Sequence, residues 1–138
     1  MRKLHRVGIC LFVSLLLSAC SYSAEPQEPQ AQDQRAQILE VTADLPQNEG
    51  WWIVRNGTTT MTLQVKALNT ETVLFWAVPT GTETWGEREL IGYDLDGSDG
   101  WSFTWDFGKR SMHDRIVVQA LGSDETSQAQ EMILVTAE

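Results

Sequence analysis

Met61-Thr62-Leu63-Gln64-Val65-Lys66-Ala67 decides the fold, because its apolar side chains fall on alternate positions. Met61, Leu63, Val65 and Ala67 share one face of an extended chain, while Thr62, Gln64 and Lys66 meet water, which is the period of a half-buried strand. Trp101-Ser102-Phe103-Thr104-Trp105 repeats the period with three aromatics, and Arg115 to Leu121 sets Ile116, Val118 and Ala120 on one face. The run 130–137 is again extended. Val73-Leu74-Phe75-Trp76-Ala77-Val78 is apolar on both faces, which predicts a central strand covered on both sides.

Working outward, Val, Ile, Leu, Thr, Trp and Phe runs bounded by Gly, Asn, Asp or Pro predict strands at about 37–44, 61–68, 72–78, 88–95, 101–106, 114–121 and 129–137. A short strand is a further candidate at 51–54. Asn56-Gly57, Leu68-Asn69-Thr70 and the pairs Asp96-Gly97 and Asp99-Gly100 supply turns between them. No run carries a helical period. Roughly seven strands in about 100 residues make an all-β chain, folded as an antiparallel β-sandwich.

The stretch Leu90-Ile91-Gly92-Tyr93-Asp94, then Trp101 to Asp106, then His113 through Ala120 and Asp124, resembles the C-terminal half of bacterial Ig-like domains. There a "LIG-D" strand leads to a "Y-FTWD" strand and then to an "H-I-V-A-D" strand. The resemblance covers residues 37–138, with its motifs in 73–137, and implies an Ig-like antiparallel β-sandwich of about seven strands. It implies little about function, since this superfold hosts many unrelated tasks. Two departures stand out: a "DG" turn is replaced by the longer Pro79-Thr80-Gly81-Thr82-Glu83-Thr84-Trp85-Gly86-Glu87, and no disulfide pins the sheets. That insertion is where a feature particular to this chain is expected.

At the N-terminus, Arg2, Lys3 and Arg6 precede the apolar run 7–19, which ends in Leu17-Ser18-Ala19-Cys20. The run is shorter than the roughly 20 residues that span a bilayer, so it reads as the apolar core of a signal peptide. Leu17 to Cys20 resembles a bacterial lipobox. The resemblance implies that residues 1–19 are a lipoprotein signal peptide, that Cys20 carries the lipid, and that the mature protein sits on the extracytoplasmic side of a bacterial membrane. Ser21 is not the Asp that resembles an inner-membrane retention signal. Cys10 leaves with the signal, so the mature chain of about 119 residues keeps one cysteine, forms no internal disulfide and depends on its hydrophobic core.

Beyond Cys20 there are seven Lys and Arg against nineteen Asp and Glu, a net charge of about −12. Such a balance excludes nucleic acid, whose phosphates demand clustered cations. It also excludes adhesion to anionic lipid by charge, leaving the acyl chains as the means of attachment. Residues 20–36 hold Pro26, Pro29 and a run of Gln with almost no large apolar side chain, a composition that predicts a flexible tether beneath the 37–138 domain.

Candidate chemistry is sparse. Asp94, Asp96 and Asp99 offer carboxylates in a glycine-bearing loop, as a calcium ion requires, but an EF-hand needs Gly at the sixth position and Glu at the twelfth, where this loop has Asp99 and Trp105. A solvated acidic hairpin is the simpler reading. His113 is the one mature histidine, so no multi-histidine metal cluster can form, and no Gly-x-Ser-x-Gly elbow accompanies it. The chain therefore reads as non-enzymatic and without a cofactor. Six tryptophans all follow Cys20, and at least two of Trp76, Trp101 and Trp105 are expected in the core. Trp51, Trp52 and Trp85 lie near strand ends or in the insertion, where aromatics stack on sugars or receive a partner's apolar surface. A membrane held through the lipid, and a protein or wall glycan held by these rings, are the expected partners.

Overall fold

In the computed structural model, residues 33–81 and 83–138 are described; Cys20, the signal expected at 1–19 and most of the tether expected at 20–36 lie outside them. The strand periods build two sheets. β1 (Gln37–Ala43), β4 (Thr60–Leu68) and β7 (Trp101–Asp106) form the smaller sheet in the order β1-β4-β7. β2 (Gln47–Asn48), β3 (Trp51–Val54), β5 (Thr70–Pro79), β6 (Glu89–Asp94), β8 (His113–Gly122) and β9 (Gln128–Ala137) form the larger, ordered β2-β3-β9-β8-β5-β6. The two pack face to face as an all-β sandwich.

Alternation places the core as expected. Met61, Leu63 and Val65 from β4 meet Val73, Phe75 and Ala77 from β5 and Ile116, Val118 and Ala120 from β8, all buried in one cluster with Trp101 and Trp105. Each large side chain so buried contributes about 1.5–3 kcal/mol before the entropy of ordering is subtracted. Gly92 permits the sheets to close at one edge. A Cβ there would lie 2.2 Å from Cε2 of Phe103, whose ring stacks on Phe75 at 5.4 Å.

Two details depart from the sequence expectation. β2 pairs with β3 through a two-residue turn in which Glu49 and Gly50 both have positive φ, 48° and 85°, the geometry of a tight hairpin. β3 itself runs parallel to β9, from Trp51 opposite Leu134 to Val54 opposite Ala137, so the sandwich is antiparallel at every pairing but this one. Once β3 leaves the β2 hairpin it lies beside the last strand with its direction already set.

The residues just before β1, Asp33 to Ala36, are held to the sandwich. Asn69, in the left-handed region at φ 53°, donates through Nδ2 to the carbonyls of Asp33 (2.8 Å) and Arg35 (3.1 Å). The Ala36 N–H donates to Ser127 Oγ at 2.8 Å, and Ala36 is buried.

The insertion after β5 folds back over the outer side of the larger sheet. It contains a 3-10 turn, Thr84–Glu87. Thr84 Oγ1 donates to the Pro79 carbonyl at 2.7 Å and accepts from Arg115 Nη2 at 2.5 Å. Outward-facing Val78 is therefore fully buried, and β5 is covered on both sides near its C-terminal end.

Candidate binding face

The larger sheet has an unusual outer face, built row by row from its register. Leu90 on β6 lies opposite Trp76 on β5, Trp76 opposite Val117 on β8, and Val117 opposite Met132 on β9. Three strand spacings make this apolar row about 14 Å long. Beside it runs Tyr93, Leu74, Gln119 and Gln130, in which Trp76 Nε1 donates to Gln119 Oε1 at 3.2 Å. On the other side, Val78, Arg115, Leu134 and Trp51 continue the patch to β3. Tyr93 is 59% exposed, Met132 52% and Leu90 45%, so large apolar side chains stand in water. None of the named positions in these rows carries a carboxylate, in a chain with nineteen acids.

The smaller sheet is polar at its centre, with Leu39 and Leu68 exposed toward the ends of its strands. Its outward residues include Glu40 and Thr42 from β1, Gln64 and Lys66 from β4 and Ser102 from β7, lining a polar groove of about 480 Å³. Glu40 is tied to Lys66 by an ion pair. A second groove of about 520 Å³, at the end of the sandwich, is lined by Arg55, Lys109, Arg110 and Glu138 among others. Arg110 is already engaged there, donating to buried Asp114 at 2.7 Å and lying 5.1 Å over the Trp105 ring.

The three tryptophans singled out in the sequence do not form one platform. Trp51 points outward and stacks on His113, ring centres 5.2 Å apart with planes 10° from parallel. Trp52, the next residue on the strand, points inward and packs against the core. Trp85 is 39% exposed on the same outer side as Trp51, tilted against Trp76 at 6.2 Å. Of the three strand tryptophans, at least two of them expected in the core, Trp101 and Trp105 are the core pair and Trp76 is the half-buried centre of the outer face.

Two cations border Trp76, and residue type alone did not mark them. Arg88 lies 4.5 Å from the Trp85 ring and 5.1 Å from the Trp76 ring, with Nη1 donating to the Trp85 carbonyl at 3.0 Å. Arg115 is held by Thr84, and its Nε is buried without a hydrogen-bond partner among the described residues. Neither guanidinium has an ion-pair partner among those residues. The alternation around Ile116 and Val118 places Arg115 on the outside, but only the folded insertion brings it near Trp85.

Two of the three candidate loop carboxylates, Asp94 and Asp96, are taken up by nearby backbone N–H groups. Asp94 accepts from the N–H groups of Asp96 (3.0 Å) and Ser102 (2.9 Å), and Asp96 accepts from Ser98 N–H at 3.0 Å. The Ser98 hydroxyl first, and its N–H second, hold the Asp96 carboxyl below its usual range. Among the described residues no three His, Cys, Asp or Glu side chains converge as metal donors. His113 is turned to Thr136, with Nδ1 3.1 Å from its hydroxyl, while Asp114 faces the core. No protein-family model, curated protein or solved structure matches this chain.

Proposed function

We propose that this chain is a lipid-anchored, extracytoplasmic bacterial protein with one Ig-like domain, which binds a partner and performs no chemistry. The carrying observation is the contrast between its two outer faces: a polar groove with an ion pair on the smaller sheet, and on the larger three adjacent rows without a carboxylate, in which Tyr93, Met132 and Leu90 are exposed. A monomer left in water gains nothing from exposing Tyr93, Met132 and Leu90 together on one face, whereas a binding surface does. Ig-like kinship is supported by the strand order, since β1-β4-β7 and β9-β8-β5-β6 follow the ABE and GFCC′ arrangements of Ig sandwiches. The anchor is supported by the lipobox resemblance at Leu17 to Cys20.

Two experiments test this reading. Metabolic labelling with a fatty acid should mark the protein and be abolished by Cys20→Ala; retained label would overturn the anchor. A photoreactive amino acid placed at Met132 should give cross-linked adducts on cells, while the same group at Gln64 on the smaller sheet should not. Equal yields from both positions would remove the assignment of the face.

A wall glycan is the second reading, favoured by Trp51 and Trp85 lying on the same side of one sheet. Trp52 drops out of it because it packs inward. Replacing Trp51 and Trp85 with Ala should then abolish binding of a chitin hexamer. The aliphatic side chains between the two rings favour a protein surface over a sugar.

A further inference from the structure

We infer that the outer face of the six-stranded sheet takes a protein segment that carries a carboxylate beside large apolar side chains, and that Arg88 and Arg115 receive the carboxylate. The inference rests on the proposed binding face and names the partner's chemistry. Charge complementarity carries it. The mature chain has nineteen acids and seven cations, and five of the cations have partners among the described residues: Arg35, Lys66 and Arg110 are held by carboxylates, Arg88 and Arg115 are not. Arg115 finds only a hydroxyl, and Arg88 only a carbonyl and two aromatic faces.

Both guanidiniums border strand rows in which no named position carries a carboxylate, and neither is ion-paired to Glu83, Glu87 or Glu89 nearby. Arg115 Nε is removed from water with no acceptor among the described residues, a cost that a ligand's oxygen would offset. A planar guanidinium matches a carboxylate through paired N–H donors, and the placement of Arg88 over the Trp76 and Trp85 rings, with its bond to the Trp85 carbonyl, restricts its orientation in advance. Met132, Leu90 and Tyr93 require the rest of the occupant to be apolar. Aliphatic groups do not stack on sugar rings, so the combination points to an acidic, apolar peptide segment and away from an anionic glycan.

The test uses the full-length protein in nanodiscs, panned against a phage library of random dodecapeptides. Enriched peptides should carry Asp or Glu within about three residues of Leu, Phe, Tyr or Trp. Exchange of that acid for its amide should weaken binding at least about tenfold. Arg115→Gln and Arg88→Gln should each weaken the acidic peptide by a similar factor and leave the amide form unchanged, so that the effects of the two changes are not additive. Peptides that lose binding with Met132→Asp but ignore the acid-to-amide exchange would overturn the carboxylate inference and leave the binding face standing. No enrichment, or peptides indifferent to Met132→Asp, would overturn both. Retained folding of each variant is read from its thermal unfolding.

Discussion

Gly92→Ala is the sharpest single perturbation of the closure of the two sheets. An added methyl would sit 2.2 Å from Cε2 and 2.3 Å from Cζ of Phe103, well inside van der Waals contact. The ring must move, and it cannot do so without leaving Phe75, on which it stacks at 5.4 Å. Overpacking costs about 1–3 kcal/mol and loss of an aromatic pair about 0.5–1.5 kcal/mol, together about 2–4 kcal/mol. Gly86→Ala is the matched control, since a Cβ there meets nothing within 4 Å and should change stability by under about 0.5 kcal/mol. Urea unfolding followed by tryptophan fluorescence reads both, as Trp101 and Trp105 become exposed. A slope near 2 kcal/mol per molar turns the loss into a midpoint lower by about 1–2 M. In a Phe103→Leu background most of the cost should disappear, because the clashing ring is gone. If Gly92→Ala unfolds within about 0.5 kcal/mol of the parent, Phe103 does not lie over β6, and the packing of the two sheets at that edge is wrong.

Arg110→Ala should destabilise by about 2–3 kcal/mol, because Asp114, only 6% exposed, is left without its cation; half-exposure of Arg110 keeps the loss below that of a fully buried pair. In an Asp114→Asn background the same change should cost under about 1 kcal/mol by denaturant unfolding. Asp124 should titrate at about 2 by carbon-13 NMR, held low first by the Ser127 N–H, then by the Ser127 hydroxyl and the Thr126 N–H. Its folded pKa lies below the unfolded value near 3.9, so its contribution to stability is present above that value and is lost as pH falls toward about 2. Ser127→Ala should move the midpoint upward, and a midpoint unchanged by that substitution would refute the bonding.

The strands were legible because a period of two is a direct record of burial. The expected 61–68 falls one residue short of β4 at its start, and 114–121 falls one residue short of β8 at each end, where pairing outlasts apolar alternation. β2 was not legible, since Glu49 is an unusual residue for a left-handed turn and two polar residues make no pattern. Nor could alternation show that β3 lies parallel to β9, because pairing is decided by tertiary neighbours and not by period. The same limit governs the binding face. Residue type and position group Trp51 and Trp52 in one binding set, although adjacent strand residues face opposite sides, and mark the 79–87 insertion as distinctive. That Trp76 would be roofed by Trp85 and Arg88, with Met132 and Tyr93 on the same plane, depends on the order of six strands, which no local pattern encodes. Residues 33–36 show a further limit: a polar composition read as tether is ordered where Asn69 and Ser127 supply its hydrogen bonds.

The claim that the outer face of the six-stranded sheet is covered by a partner at the cell surface is tested most directly by methionine oxidation. Met132 is half exposed on that face, whereas Met61 and Met112 are buried and serve as internal references. In the purified protein Met132 should oxidise far faster than either reference, as read by mass spectrometry. On intact cells its rate should fall at least about fivefold relative to the purified protein, with Met61 and Met112 unchanged. Equal oxidation of Met132 in both settings would contradict the account.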